Sequence, residues 1–413
     1  MKKIIITLLF LVSHCIFAND AITHLPGLSK PVTQEYAGYV PAGKQAALFY
    51  WFVASHKSNA PLIVWTNGGP GYSSIYGFFN ETGPYAVTPT LQLKSRKEGW
   101  NHFANYLIID QPAEVGLSHI KHNQLPANRA QATDQYYEAL VSFFRAYPAY
   151  RHSPVFLAGE SYAGTALPLV AQKILADEKE NHIHLKGLIL MSPWADPHLQ
   201  QSMDSLYAYT HGLISQSQKD QIDAIYRHCD ALIESGQDTE ANKTCNLIDG
   251  RIQQISGLNL ANIAYVSSAD NTLLDRYLNQ PAVLKAIHAR PDKKFECFSG
   301  LANSIYIDAI QKSVKSIYNQ LLSQHIPIII FSGLNDAKDT NFLGVKKLMY
   351  SFQWPGADTF YKSETTPVMD NKTVLGYKQS GGGLTWVTVL NAGHMIPLDQ
   401  PRVAIVVKKF VGR

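Results

Sequence analysis

Gly159-Glu160-Ser161-Tyr162-Ala163-Gly164 separates an apolar run at residues 154–159 (PVFLAG) from a stretch with helical spacing that opens at Tyr162. A short apolar run next to glycine predicts a buried strand, so the hexapeptide reads as a strand-to-helix turn with a serine at its apex. A turn this sharp holds the serine in a strained backbone conformation and needs small neighbours, the geometry of a nucleophile elbow. Gly159, Ala163 and Gly164 are small, although the generic pattern has glycine where Ala163 stands. Taken alone, the match is equally that of a solvent-facing serine on an ordinary turn, and the rest of the chain has to decide.

Working outward, residues 36–39 and 47–53 read as paired strands. Residues 62–66 (LIVWT), 105–110 (NYLIID) and 185–191 (LKGLILM) read as buried ones, and residues 130–146 have helical spacing. Repeated strand–helix alternation predicts an α/β fold, a mostly parallel central sheet flanked by helices. From about 198 to 300 the chain turns polar, helical and irregular. The strand pattern resumes at residues 326–332 (IPIIIFS) and 384–390 (LTWVTVL), and residues 401–410 read as a closing helix. The expected organisation is therefore a sheet domain over residues 19–197 and 301–413, interrupted by a helical cap region at 198–300. Residues 1–18 form a leader.

A serine hydroxyl needs a base, and the base an orienting acid. In sheet hydrolases these follow the serine in the order acid, then histidine. Asp336 follows the run at 326–332 in SGLND, and His394 follows the run at 384–390 in NAGHMIP. All three then lie past the C-terminal ends of strands on one sheet edge, which makes Ser161, Asp336 and His394 the expected catalytic triad of an α/β-hydrolase fold. Asp339 is the alternative acid. The glycine-rich loop Trp65-Thr66-Asn67-Gly68-Gly69-Pro70-Gly71-Tyr72 ends another buried strand. Glycines there let backbone N–H groups approach a ligand. The amides of Gly69 and Tyr162 are the expected oxyanion hole. The loop lacks the Gly-Lys-Ser/Thr ending of a phosphate loop.

With these residues in place, the chain resembles the serine carboxypeptidases from about residue 36 to 410. The stretches that carry the likeness are WTNGGPGYSS, ETGP, DQPAEVG, GESYAG, FSGLND and NAGHMIPLDQP, in the family's order. The resemblance implies a second site, which grips the C-terminal carboxylate of a peptide: Asn67, the Gly68 amide, Glu81 and Glu160. Two ionised glutamates would repel a carboxylate, so at least one proton must be shared between them. A mildly acidic optimum follows. Tyr76, Asn80, Tyr162 and Met395 are expected near side-chain pockets. The family usually has a cysteine at the place of Tyr72, and its partner would correspond to Cys297, unpaired here. The expected activity is release of C-terminal residues from peptides through an acyl-enzyme. An acyltransferase or esterase using the same triad is the alternative, and a catalytically silent scaffold the remote one.

The leader carries Lys2 and Lys3, an apolar run at residues 4–12 and Ala18 at the expected cleavage point. It has the form of a short bacterial signal peptide, so a secreted or periplasmic protein with no membrane anchor is expected. His14 before Cys15 argues against a lipoprotein signal. Cys229 and Cys245 then pair, leaving Cys297 free. The net charge of +4 comes from scattered residues, which excludes a nucleic-acid footprint. His182-x-His184 has no further ligands at useful spacing, so no metal and no cofactor are expected.

Overall fold

The computed structural model describes residues 20–121, 125–266, 272–305 and 311–412; the leader expected at residues 1–18 lies outside them. The strand signals fall where the alternation put them. β1 (Glu35–Ala42) and β2 (Ala46–Val53) form a hairpin, and β3 (Leu62–Thr66) is buried throughout. A short hairpin, β4 (Tyr85–Val87) and β5 (Leu93–Ser95), stands apart from the main sheet. β6 (Asn105–Ile109), β7 (His119–Ile120), β8 (Val155–Glu160) and β9 (Leu185–Met191) follow. β10 (Ile328–Gly333), β11 (Thr366–Asp370), β12 (Thr373–Gly381) and β13 (Leu384–Val389) complete the set.

The sheet order is β1-β2-β6-β3-β8-β9-β10-β13-β12-β11, with β7 against β2. The block from β6 to β13 is parallel, and both its faces are covered, as a parallel sheet requires. One apolar cluster joins α2 (Arg129–Ala146) and α3 (Ala163–Ala176) to one face. Another joins α1 (Ser74–Asn80) and the helix Ala404–Val411 to the other.

Two boundaries differ from the sequence reading for stated reasons. β10 begins at Ile328 rather than 326 because Pro327 offers no ladder N–H. The closing helix starts with a tight turn, Pro401–Val403, before Ala404–Val411. The hairpin β11–β12 carried no strand signal; β11 lies on the sheet edge and is largely exposed, so its residues need not be apolar.

Between β9 and β10 the described residues form helices and no strand, including Asp204–Thr210, Gln216–Glu234 and Asp238–Ser256. Tyr207, Ile222, Ile248, Ile252 and Leu260 give this region a small core of its own. Cys229 and Cys245 form a disulfide that ties the two long helices together, and Cys297 is free and buried. Among the described residues, no helix is long and apolar enough to cross a membrane.

Candidate active site

Ser161 sits between β8 and α3 with φ of 56°, the left-handed region expected of an elbow. Its carbonyl accepts from Gly164 N (2.8 Å) and Trp194 N (2.9 Å), and its own N–H donates to Met191 O (3.0 Å). The turn is tight enough that a Cβ on Gly159 would lie 2.6 Å from the Ala163 Cβ, and one on Gly164 2.5 Å from the Pro193 Cβ. Ala163 in the usual glycine position therefore fits only because Gly159 faces it.

His394 and Asp336 come from the ends of β13 and β10, which are neighbours. His394 Nδ1 lies 3.0 Å from Asp336 Oδ2 and 2.9 Å from Thr340 Oγ1. The Thr340 hydroxyl donates to the same Asp336 oxygen at 2.9 Å, and Lys338 N–H donates to Asp336 Oδ1 at 3.0 Å. With acceptors around Nδ1, the proton belongs on that nitrogen, leaving Nε2 to act as a base. Asp339 makes no such contact with His394. Thr340 carried no sequence signal.

The glycine loop passes against the serine. A Cβ on Gly68 would meet the Ser161 Cβ at 2.6 Å and the Glu160 carbonyl at 2.7 Å, so only glycine fits there. Neither the Gly68 nor the Gly69 N–H donates to a group among the described residues. The loop is braced from below by fully buried Asp110, which accepts from the Ser73 hydroxyl and the Ser74 N–H, both at 2.7 Å.

Beside the serine lies a buried amide–carboxyl cluster. Asn67 Oδ1 accepts from Trp65 Nε1 (2.8 Å) and Gly77 N (3.1 Å), which fixes the amide orientation. Its Nδ2 then donates to Glu160 Oε1 (2.8 Å) and Glu81 Oε1 (3.2 Å). The other oxygens, Glu81 Oε2 and Glu160 Oε2, are buried without a donor among the described residues. Burial raises the Glu81 carboxyl to about 7. Burial, then the charge of Glu81, raises Glu160 well above the usual carboxylate range. Such a pair holds one proton between two carboxyls.

Both groups open into one cavity of about 250 Å³, lined by Asn67, Gly68, Gly69, Tyr72, Tyr76, Glu160, Ser161, Ala261, Lys338, His394 and Met395. Tyr76 and Met395 both line it and touch through Tyr76 OH and Met395 Sδ at 3.1 Å. Asn80 is not in this wall: it ends α1, one turn beyond Tyr76, and the helix carries it away. The Tyr162 side chain is also turned elsewhere, toward Ala132 and Trp194. Unforeseen neighbours replace them. Residues 259–263 of the helical region wedge between the two triad loops. Ala337 N donates to Leu260 O (2.9 Å), His394 N to Ala261 O (2.6 Å) and Ile263 N to Asn335 O (3.0 Å). No groups of three or more metal-binding side chains occur among the described residues.

The serine carboxypeptidase family model matches residues 26–412. The chain belongs to the serine carboxypeptidase family. The pheromone-processing carboxypeptidase KEX1 of Phytophthora infestans is 29% identical over 437 residues, covering 96% of this chain and 72% of that one. The carboxypeptidase Y homolog A of Ajellomyces capsulatus is 30% identical over 398 residues, covering 90% and 72%. A solved prohormone-processing carboxypeptidase of Saccharomyces cerevisiae superposes with a TM-score of 0.81, at 24% identity and coverage of 92% and 91%. That likeness shows a shared α/β-hydrolase fold for this serine carboxypeptidase-family chain.

Proposed function

We propose that this member of the family releases the last residue of peptides with a free C-terminus, through an acyl-enzyme on Ser161. The observation that carries the reading is one cavity lined by Ser161, His394, Asn67 and Glu160, with the Asn67 amide joining Glu160 to the buried Glu81 as their shared donor. His394 takes the Ser161 proton as Oγ attacks the last peptide carbonyl. The developing oxyanion is placed to accept from the amides of Gly69 and Tyr162. His394 returns the proton to the leaving nitrogen, the C–N bond breaks, and the terminal amino acid departs. Water then attacks the ester, and Ser161 recovers its proton. The substrate carboxylate is bound by the Gly68 N–H, by the Asn67 amide, which exchanges one of its two carboxyl partners for the substrate, and by the carboxyl O–H shared by Glu81 and Glu160. The leader at residues 1–18, with Lys2 and Lys3 ahead of its apolar run, directs the chain to a secreted or periplasmic location. A disulfide agrees with export.

Incubation with N-blocked dipeptides, followed by mass spectrometry, tests the reading. Release of the free C-terminal amino acid, and its loss in Ser161→Ala, is expected. Cleavage of simple esters with no dipeptide cleavage at any pH would overturn it.

A further inference from the structure

The strand order gives the cavity a direction. Asn67 follows β3, Ser161 follows β8, and Asp336 follows β10, so the amide–carboxyl cluster and the loop after β10 lie on opposite sides of Ser161. β8 and β10 are separated by one strand, a distance of roughly 10 Å. A peptide whose terminal carboxylate enters the cluster must therefore run past Ser161 toward the loop after β10. The residue whose carbonyl is attacked, the penultimate one, faces that loop.

Lys338 stands there. It is the only Lys or Arg among the described residues that line the cavity. Its backbone is pinned two residues past the triad acid by the bond from its N–H to Asp336 Oδ1 at 3.0 Å. Its carbonyl accepts from Asn341 Nδ2 at 2.9 Å. The side chain keeps 37% of its surface, and its nearest counter-ion, Asp249 Oδ2, is 3.8 Å away. That contact is at the limit of an ion pair and is partly solvated, so it leaves most of the donor capacity of the ammonium unused. Asp339 and Asp336 add negative charge behind it and keep it protonated.

We propose that Lys338 is a specificity-determining residue that receives the side-chain carboxylate of an Asp or Glu in the penultimate position of the peptide. This rests on the carboxypeptidase reading and names a substrate class for it. An acidic side chain supplies the missing acceptor as a charge-assisted hydrogen bond. An apolar side chain desolvates the ammonium and returns nothing. A basic one meets a like charge at the wall of the cavity.

The test is the ratio of kcat/KM for two blocked dipeptides that share the leaving residue and differ only in penultimate Glu or Gln, measured near pH 6. The two side chains are nearly the same size, so the ratio isolates charge. It is internal to each preparation, so partial misfolding of a variant lowers both rates and leaves it unchanged. A wild-type preference for Glu of about fivefold is expected, the worth of a partly exposed ion pair. Lys338→Arg should keep it, Lys338→Met should bring it to about one, and Lys338→Glu should invert it. A wild-type ratio of one or less, or an unchanged ratio in Lys338→Met, overturns the proposal while leaving the carboxypeptidase reading intact. Better cleavage after penultimate Lys would assign the wall to Asp249 instead, and also overturns it. If neither peptide releases its last residue, the carboxypeptidase reading fails and this proposal with it.

Discussion

Two groups of acids flank the nucleophile, and they handle the same problem in opposite ways. Glu81 and Glu160 are buried and face each other with a neutral amide, Asn67, as their shared donor. Asp204, Asp249 and Asp339 gather behind the triad acid with a cation, Lys338, among them. Burial raises Glu81 and Asp249 alike to about 7. No cation is ion-paired to the first group among the described residues, and Arg96 acts on Glu81 only through its charge, so the group relaxes mainly by keeping a proton, and a kept proton is a donor for a carboxylate. The second group can relax by ion pairing, so it offers the cavity a fixed positive charge instead. Both groups hold acids with raised carboxyls, but only the second also presents the cavity with a cation, Lys338, that stays protonated.

The largest effects should come from the boundary between the two groups. Asp336→Asn is expected to reduce turnover by roughly 10⁴-fold, because the imidazole loses its orienting acceptor. Asp339→Asn, which removes a charge of the same sign but no contact to His394, should change it by no more than a few-fold. Steady-state kinetics on one blocked dipeptide separates them. The reverse order would move the triad acid into the second group and dissolve the distinction.

Gly68→Ala probes the first group sterically. A methyl 2.6 Å from the Ser161 Cβ must push the loop or the nucleophile away, and a displacement near 1 Å costs on the order of 10²-fold in rate. Labelling of Ser161 by a fluorophosphonate should slow in parallel. Unimpaired labelling would show that the loop does not press on the serine.

Asn262→Ala probes the side supplied by the helical region. Asn262 Nδ2 donates to Asp399 Oδ2 at 2.9 Å, and the same oxygen accepts from Gly393 N at 2.8 Å, next to His394. A roughly tenfold fall in kcat with KM unchanged is expected, the pattern of a lost transition-state contact. A change in KM alone would mean that this segment touches substrate rather than positioning the base.

The smallest effect concerns Cys297. Burial pushes its thiol up to about 12, so the native protein should resist iodoacetamide. The denatured, unreduced mature chain should take one alkyl group. Three alkylated thiols would dissolve the Cys229–Cys245 bridge.

The first group was legible through the family resemblance, because the motifs that carry it are contiguous. Asn67 and Gly68 lie in one loop, Glu160 precedes the serine, and the LIVWT run at β3 has the bounds the structure gives it. The second was not. Asp204 and Asp249 sit on separate helices of a region without motifs, and only folding brings them to the loop after β10. Ala261 reaches the cavity through backbone hydrogen bonds, which any side chain could accompany. Asn80 shows the opposite failure. It is adjacent in sequence to Glu81, yet the end of α1 keeps it out of the wall that Tyr76 joins. Asn80 shares a helix face with Tyr76, and the rise of about 6 Å between them, not rotation, takes it past the cavity.

The central claim is that a shared carboxyl proton holds the substrate's terminal carboxylate. Protonation favours binding, and the raised Glu81 carboxyl keeps its proton from its ordinary value of 4.5 up to about 7. Affinity should therefore be full on the acid side and fall as pH rises through about 7. The direct measurement is KM against pH, from 5 to 8.5, for a blocked dipeptide with a free C-terminus and for its C-terminal amide. The acid should lose roughly tenfold or more in affinity above pH 7, the worth of a hydrogen bond to a charged group. The amide should lose little, and Glu81→Gln with Glu160→Gln should flatten the curve for the acid. Parallel loss for acid and amide would contradict the carboxylate grip.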